Sequence, residues 1–530
     1  MTPRRATILW VLLLAAAGLR LLLQTAMLPP YAGMDEIYHV ARLAFVRDEG
    51  RNPTIAEASI PRYLERSIRQ RSGWQPAFGV IGERWPDVVR SGARPEPLEL
   101  DEPLLRSYAM PNYEAQHPSL YYTAAAGLAP RSPDLKALRA WRLLSAAFAL
   151  ATVLGIGFVG WRVAGAWGLL AAALLPSLPT WESLVARASN DALACLLLAA
   201  AVAATFAAPA RPRGIVLEGL AWGGAVAAKL YSWPAAVLLP LLWVRQRASL
   251  RRVAIVLAIS GAALAATLWD LSARTRNPIG IFAFDPVARA AAEAPPLAWG
   301  EALKTFVLTF AWTSGQHANA LTPLGLALFV IPLAVLTIVG IRRVRNRDDI
   351  ALLRVVGITA AVFALAQAVK FLAYLRSARL EGLALPAGGK EGWYWYALAP
   401  VFVGILLTLV LRGLRSRVLV ALFVGWIALW DVTLHEGALF RDFAGWTTPA
   451  NRGLLVRWGS VPERPPTDLA TMAVGPFAGA ALPLRGAHLL LLAATAVLVL
   501  RRTDGSAGDK RLRDDVIPSG VMALPPLEGT

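Results

Sequence analysis

Two acids, a histidine and an arginine follow one another closely after the first long apolar run of the chain. Residues 34–42 contain Asp35 and Glu36, then His39 and Arg42. On a helix, Glu36 and His39 would be neighbours one turn apart. The pair of carboxylates has two interpretations. It is either a solvated helix start, because acids favour helix N-termini, or the reactive end of an active site.

Further polar residues interrupt or flank later apolar runs. Asn190 and Asp191 precede one run, and Lys229 stands within another. Two acids brought together above a membrane could act as a general base and its partner, or hold Mg or Mn between Asp35 and Asp191. Asn190 and Asp191 would equally suit the cap of a helix. Lys229 either snorkels to the surface or holds an anion such as phosphate.

Three cations further along the chain are either ordinary loop charges or a clamp for phosphate, namely Arg376, Arg379 and Lys390. The five histidines show no metal-ligand spacing, and His117 is more typical of a structural or substrate-binding residue than of a zinc ligand. The single cysteine, Cys195, excludes an intrachain disulfide and a cysteine-based metal site. Neither pattern indicates a metal or other cofactor, and Mg or Mn held by carboxylates is the alternative.

The composition indicates a membrane protein. The 530 residues are 56% hydrophobic and 17% charged, with a mean hydropathy of +0.50, whereas soluble domains carry about 25% charged residues. The apolar residues come in long blocks, which predicts an all-α polytopic membrane protein. About twelve transmembrane helices are predicted, at residues 8–28, 141–160, 165–181, 191–208, 214–229, 231–244, 253–272, 320–341, 351–372, 394–411, 417–434 and 485–500.

The distribution of charge predicts the topology. Arginine clusters in short gaps supply most of the net charge of +18, and basic short gaps are typical of the cytoplasmic side. The basic charge therefore does not indicate nucleic acid. Both termini are predicted in the cytoplasm of a bacterium, and the inner membrane is the expected location. Residues 1–502 then form the membrane domain, and residues 503–530 a disordered cytoplasmic tail.

Two outer loops and a short helix complete this prediction. Residues 29–139, which are balanced in acids and bases, are expected to form a long first outer loop. Helices at 38–48 and 56–71 of this loop should lie along the membrane surface. A last outer loop is expected at 435–484, and a surface or re-entrant helix at 299–314.

Several motifs resemble those of one family. Asp35-Glu36-x-x-His39 resembles the first-loop acidic motif of the GT-C superfamily of polytopic glycosyltransferases. Residues 114–122 are similar to its His-Pro-Pro-Leu-Tyr-Tyr segment, with Ser119 in place of the second proline. Residues 142–145, 189–193 and 223–230 are similar to later motifs of the superfamily. Its members include protein O-mannosyltransferases, lipid A aminoarabinose transferases and many bacterial relatives.

The resemblance implies an inverting glycosyltransferase of the GT-C fold. Its donor would be a sugar on polyprenyl phosphate, and its acceptor a glycan, lipid or protein at the outer face of the membrane. The resemblance implies Asp35 as the general base with Glu36 beside it in the catalytic site. The other implied roles are substrate binding by His39, Arg42, His117, Tyr121, Asn190 and Asp191, and lipid-phosphate binding by Lys229, Arg376, Arg379 and Lys390.

One departure keeps two alternatives open. Many relatives carry Gly-Arg-Tyr before a late span, where this chain has Gly392-Trp393-Tyr394. Without that arginine, the chain could be a non-catalytic membrane partner in envelope polysaccharide assembly. A transporter or flippase of a lipid-linked solute is the other alternative. Transporters commonly contain internal repeats, and we find no repeat in the sequence.

Overall fold

The computed structural model describes residues 2–28, 36–54, 57–58, 60, 112–130, 135–178, 181, 187–207, 212–230, 232, 237–275, 298–300, 303–304, 319–380, 400–414, 416–443, 455–457 and 481–501. In the first part of the chain, the helices are α1 (Pro3–Met27), α2 (Glu36–Glu49), α3 (Leu120–Ala126), α4 (Leu135–Ala164), α5 (Ala166–Leu174), α6 (Asn190–Ala207), α7 (Pro212–Ala228), α8 (Leu238–Gln246) and α9 (Leu250–Thr275). In the second part they are α10 (Pro323–Arg342), α11 (Arg347–Leu380), α12 (Pro400–Leu414), α13 (Arg417–Phe443) and α14 (Ala481–Leu500). Two 3₁₀ helices, Tyr113–Gln116 and Leu175–Ser177, precede α3 and follow α5.

Within the described ranges, 8 helices are long and apolar enough to cross a membrane, namely α1, α4, α6, α9, α10, α11, α13 and α14. The predicted class, an all-α polytopic membrane protein, is confirmed. The other predicted spans, at 165–181, 214–229, 231–244 and 394–411, coincide with the shorter helices α5, α7, α8 and α12. A total of twelve crossings therefore stays a prediction.

A short antiparallel ribbon joins two segments that are far apart in sequence. Strand β1 (Asn319–Leu321) pairs with β2 (Leu455–Arg457), with Ala320 opposite Val456. Strand β2 falls in the last predicted outer loop, whereas β1 lies at the beginning of the span predicted at 320–341. Directly after β1, the side chain of Thr322 accepts a hydrogen bond from Gly325 N and caps α10, whose first residue is a proline.

The first outer segment differs from its prediction. A helix is expected at 38–48, and α2 is found there, but it packs into the protein because most of its residues are buried. Whether α2 also lies along the membrane surface stays a prediction. The second expected helix, at 56–71, is absent from its described residues, since Glu57 lies in a turn and Ala58 and Ile60 are irregular. The rest of that helix, and most of 299–314, lies outside the described residues.

Close helix contacts are made through glycine. Helices α4 and α5 form a hairpin that turns at Gly165, where φ is +59°, and glycine tolerates this left-handed region best. A Cβ on Gly168 would overlap the backbone of Gly160 across the hairpin. The hairpin lies in the core of the bundle, and Leu169–Leu175 are fully buried there.

Buried polar contacts show that α6 to α9 alternate in direction. Glu218 near the start of α7 accepts hydrogen bonds from Thr205 late in α6, at 2.8 Å, and from Arg252 early in α9, at 2.8 Å. Trp243 late in α8 donates to the same carboxylate at 3.0 Å. We name these four residues the inner cluster, because the topology predicts this end at the cytoplasm. Arg252 therefore has a buried structural partner in Glu218.

Candidate functional site

The opposite ends of these helices meet in a second polar region. The carboxylate of Glu36, at the first turn of α2, is fully buried. It accepts a hydrogen bond from Arg142 Nε of α4 at 2.7 Å and one from the backbone N–H of Ala188 at 3.0 Å. Arg142 also donates to the carbonyl oxygen of Leu28, just after α1. Glu36 thus joins α1, α2, α4 and the segment before α6.

Asp191, in the first turn of α6, is held between two cations. Its carboxylate accepts from Arg187 Nη2 at 2.8 Å and forms an ion pair with Lys229 Nζ. Lys229 directly follows the last residue of α7, and Asn190 Nδ2 donates to Ala228 O of that helix at 3.2 Å. Asn190 and Asp191 were each candidates for a helix cap or for a functional role. The contacts show that they connect α6 to the end of α7.

His39 lies one turn after Glu36 and belongs to a hydrogen-bonded group. Its Nδ1 is 2.7 Å from the hydroxyl of Tyr122 and 3.1 Å from Glu114 Oε2. The Tyr122 hydroxyl donates to the same Glu114 oxygen at 2.7 Å. His117 Nε2 is 3.6 Å from Glu114 Oε1. We name these four residues the His39 group. It joins α2, the 3₁₀ helix at 113–116 and α3.

Arg42 fixes the segment that carries Glu114 and His117. Its guanidinium donates to the backbone carbonyls of both residues, with 2.9 Å to His117 O. It also lies over the ring of Tyr122, with 3.7 Å from Cζ to the ring centroid, a favourable cation–π geometry. Burial lowers the pKa of Arg42 to about 10, so that the group is still charged at neutral pH. Arg42 therefore holds backbone in place, in addition to any contact with a substrate.

Helix α9 contributes the last part of the region. Asp270 Oδ2 accepts from Ser119 Oγ at 2.6 Å and from Arg274 Nη2 at 2.8 Å. Arg274 further donates to Ala115 O at 2.7 Å. The contacts to Ser119 and Ala115 tie the end of α9 to residues 115–119. The predicted outer ends of α1, α4, α6, α7 and α9 consequently converge on one place.

The His39 group and the ion pairs of Asp191 lie close enough to affect each other electrostatically. Burial lowers the pKa of His39 well below its usual value, and the charge of Arg187 lowers it further, with a smaller contribution from Lys229. Asp191 acts on the same ring in the opposite direction. Burial also raises the pKa of Tyr121, whose hydroxyl is 3.4 Å from Ser145 Oγ. We call the whole region the outer site.

The outer site contains eight of the twelve residues predicted from the sequence. They are Glu36, His39, Arg42, His117, Tyr121, Asn190, Asp191 and Lys229. Asp35 and Lys390 lie outside the described residues. Arg376 and Arg379 fall in the last turns of α11, and their side chains also lie outside the described part. That this one carboxylate and these three cations reach the outer site stays a prediction.

Several members of the outer site are not among the predicted site residues. Glu114, Tyr122 and Arg274 contact the predicted residues directly. A signal for the first two exists, because both stand in the same motif as His117 and Tyr121. No sequence signal marks Arg274, which comes four residues after Asp270 and is one of many arginines.

A divalent cation fits Asp191 poorly. Both of its oxygens already accept from cationic groups, Arg187 and Lys229, and a metal ion there would have to displace them. No cluster of three or more His, Cys, Asp or Glu side chains able to hold a metal occurs in the described ranges. The share that Asp35 could take in a metal site is untested.

A separate charged group lies between α1, α13 and α14. Asp431 accepts from Arg20 Nη2 at 2.7 Å and from Arg485 Nη1 at 2.8 Å. His435 Nδ1 lies 3.2 Å from Arg485 Nη2. The sequence does not single out these residues, because isolated charges within apolar runs show no spacing that relates them. Their contacts join the first helix of the chain to the last two.

No protein-family model matches the chain, and no curated protein does. Two solved structures are similar to it, both of ArnT from Cupriavidus metallidurans. The crystal structure bound to undecaprenyl phosphate is 16% identical, with a TM-score of 0.44 over 93% of this chain and 72% of ArnT. The apo crystal structure is 13% identical, with a TM-score of 0.41 over 93% of this chain and 76% of ArnT.

Proposed function

We propose that this chain is a membrane glycosyltransferase of the GT-C type. It transfers a sugar from a polyprenyl-phosphate donor to a hydroxyl of a glycan, lipid or protein acceptor at the outer face of the bacterial inner membrane. The observation that carries this proposal is the outer site itself. There, Lys229 and Arg187 form ion pairs with Asp191, and their charges lower the pKa of His39. These residues belong to motifs that resemble those of the GT-C superfamily.

The proposed reaction follows from the charges. A general base takes the proton of the acceptor hydroxyl while its oxygen attacks C1 of the sugar, and the configuration at C1 inverts. The bond from C1 to the phosphate oxygen breaks, and the lipid phosphate leaves with the electron pair. Lys229 and Arg187 stabilise the charge that develops on this phosphate. By the resemblance of the acidic motif, this general base is the carboxylate of Asp35.

Glu36 has a different role in this proposal. Its carboxylate is engaged by Arg142 and by the N–H of Ala188. Its catalytic contribution is therefore to position α2, which carries His39 and Arg42, against α4 and α6. In the same proposal, the polyprenyl chain of the donor lies against the apolar surfaces of the spans. The reaction requires no metal at Asp191.

A transporter is the second candidate, and one observation favours it. Helix α7 has a buried ion pair at each of its ends, since Lys229 pairs with Asp191 of α6 and Glu218 pairs with Arg252 of α9. In a transport cycle, these two ion pairs at opposite ends would break and form in alternation. Transport moves a solute without forming a new bond, so products distinguish the two functions.

The test uses purified protein reconstituted in lipid with a panel of labelled polyprenyl-phosphate sugars. Release of polyprenyl phosphate is followed for the wild type, Asp35→Asn and Lys229→Ala. Release by the wild type, lost in Asp35→Asn while donor binding persists, supports a transferase with Asp35 as base. Donor that binds but is not consumed by the wild type, across the whole panel, contradicts a transferase. Movement of intact donor across the bilayer would then support the transporter.

A further inference from the structure

The ring of His39 is oriented by two neighbours at a single nitrogen. Its Nδ1 lies 2.7 Å from Tyr122 Oη and 3.1 Å from Glu114 Oε2. These three groups are buried, and His39 is only 2% exposed. Imidazole has two different nitrogens, and a hydrogen bond at one of them sets the state of the other.

The direction of the Tyr122 hydrogen bond sets the tautomer of His39. The Tyr122 hydroxyl has one proton, and it donates that proton to Glu114 Oε2 at 2.7 Å. The atoms that face Nδ1 are then two oxygens, each offering a lone pair. Nδ1 must therefore carry a proton and donate it. In the neutral ring this leaves Nε2 with a free lone pair.

The surroundings keep the ring neutral. Burial and the positive charge of Arg187 both lower the pKa of His39. His117 and Lys229 also lower the pKa, and Asp191 raises it. The carboxylate of Glu114, 3.1 Å from Nδ1, likewise favours the charged ring. Nε2 consequently presents a lone pair at neutral pH, where a free histidine would be partly protonated. No described residue donates a hydrogen bond to Nε2.

A carboxylate behind the ring completes an arrangement for proton transfer. When a neutral imidazole takes a proton at Nε2, the positive charge is shared with Nδ1–H. Here Nδ1–H donates to Tyr122 Oη, and the carboxylate of Glu114, 3.1 Å from Nδ1, stabilises that charge. Arg42 holds Glu114 from the other side through its backbone carbonyl. The positioning groups are thus Glu114, Tyr122 and Arg42.

We propose that His39 Nε2, in place of the Asp35 carboxylate, is the proton acceptor of the transfer reaction, with Glu114 and Tyr122 as positioning residues. The proposal rests on the glycosyltransferase function. As the acceptor oxygen forms its bond to C1, the O–H bond breaks and its proton goes to Nε2. The C1–O bond to phosphate breaks, and its electron pair leaves with the lipid phosphate. The imidazolium then returns its proton to water.

The first test measures the tautomer and does not need activity. The wild-type protein is labelled with ¹⁵N-histidine, and solid-state NMR is recorded in lipid near neutral pH. Signals absent from His39→Asn belong to His39. The proposal expects Nδ1 to carry the proton and Nε2 to give the shift of an unprotonated nitrogen. A protonated Nε2 at neutral pH overturns it.

The second test is kinetic, with the donor that the wild type consumes. Asparagine can replace the donor at Nδ1 but has no atom at the position of Nε2, so His39→Asn should lower kcat at least 100-fold with donor Kd little changed. Tyr122→Phe and Glu114→Gln should lower kcat about 10-fold and shift the acid limb of its pH profile. His488→Asn removes another buried imidazole, near Ser177 at 3.4 Å, and should leave kcat unchanged.

The outcomes separate the two proposals. If the wild type consumes donor, Asp35→Asn is inactive and His39→Asn keeps both kcat and pH profile, then His39 is not the acceptor and the transferase stands. If Asp35→Asn keeps turnover and His39→Asn loses it, the proton goes to His39. A wild type that consumes no donor overturns the transferase function and this proposal with it.

Discussion

The guanidinium of Arg142 on α4 is fixed to the carboxylate of Glu36 on α2, with 2.7 Å between Nε and Oε1. Arg142 is 2% exposed and Glu36 is fully buried. A buried ion pair adds little stability over an apolar pair, but removing one partner leaves an uncompensated charge. Because the same two side chains also contact Leu28 and Ala188, this pair determines how α2 sits on the bundle.

Glu36→Gln should therefore destabilise the protein by about 3–5 kcal/mol, because it leaves the Arg142 charge buried without its carboxylate. The measurement is thermal unfolding in detergent, followed with a thiol-reactive dye. Cys195 is buried and is the only cysteine of the chain, so it reports unfolding directly. An unfolding curve identical to that of the wild type would show that the pair does not hold α2.

Glu218→Gln is the matched control, since Glu218 pairs with Arg252 at the opposite ends of α7 and α9. We expect a similar loss of stability from this change. Only Glu36→Gln should also weaken binding of the polyprenyl-phosphate donor, since the inner cluster lies away from the outer site. Equal losses of donor binding in both variants would contradict the location of the site.

Lys229→Met should weaken donor binding about 10- to 100-fold, which is the loss of one charge-assisted hydrogen bond worth about 1.5–3 kcal/mol. Methionine keeps the apolar stem of lysine and removes the charge. The measurement is the Kd of polyprenyl phosphate at low and at high salt. Lys136→Met, at an exposed lysine early in α4, should leave the Kd unchanged. The same Kd in Lys229→Met and the wild type would exclude Lys229 from phosphate binding.

Stability should fall as the pH drops below about 6.5, the usual pKa of histidine. In the folded protein, the pKa of His39 is lowered, chiefly by burial. Between the two pKa values the unfolded chain binds a proton that the folded protein does not. The free energy of unfolding therefore decreases toward acid pH, by up to about 1.4 kcal/mol per pH unit from this one group.

The measurement compares the unfolding temperature of the wild type and His39→Asn across this pH range. The variant lacks the titrating ring, so its pH dependence should be the shallower of the two. Parallel curves would show that His39 is not held in its neutral form by the fold.

Gly168→Ala should destabilise the α4–α5 hairpin by about 1–3 kcal/mol, as other overpacked cores do. The added Cβ would overlap the backbone of Gly160, and backbone cannot move aside cheaply. Gly18→Ala is the matched control, because a Cβ there meets nothing within 4 Å. That change should raise stability by about 1 kcal/mol, since alanine favours a helix over glycine. Equal unfolding temperatures for the two variants would contradict the close contact.

The class of the protein and the positions of many of its helices follow from the sequence. Long apolar runs determine where helices cross, because backbone groups in lipid must bond within their own segment. The boundaries of α6 and α9 agree closely with the predicted spans at 191–208 and 253–272. The motifs also mark His39, His117, Asp191 and Lys229 as members of a site. Apolar runs and short motifs are local features, so each can be recognised within one segment of the chain.

The partners of those residues are decided only by the tertiary structure. Arg142 meets Glu36, and Asp270 meets Ser119, because helices from distant parts of the chain end at the same level. The sequence likewise contains no sign that Arg20 pairs with Asp431. Burial removes water as the alternative partner, so packing determines which charges must meet. Residue types and their order thus predict that α2 carries chemistry, but only packing places Glu36 against Arg142 and His39 beside Tyr122 and Glu114.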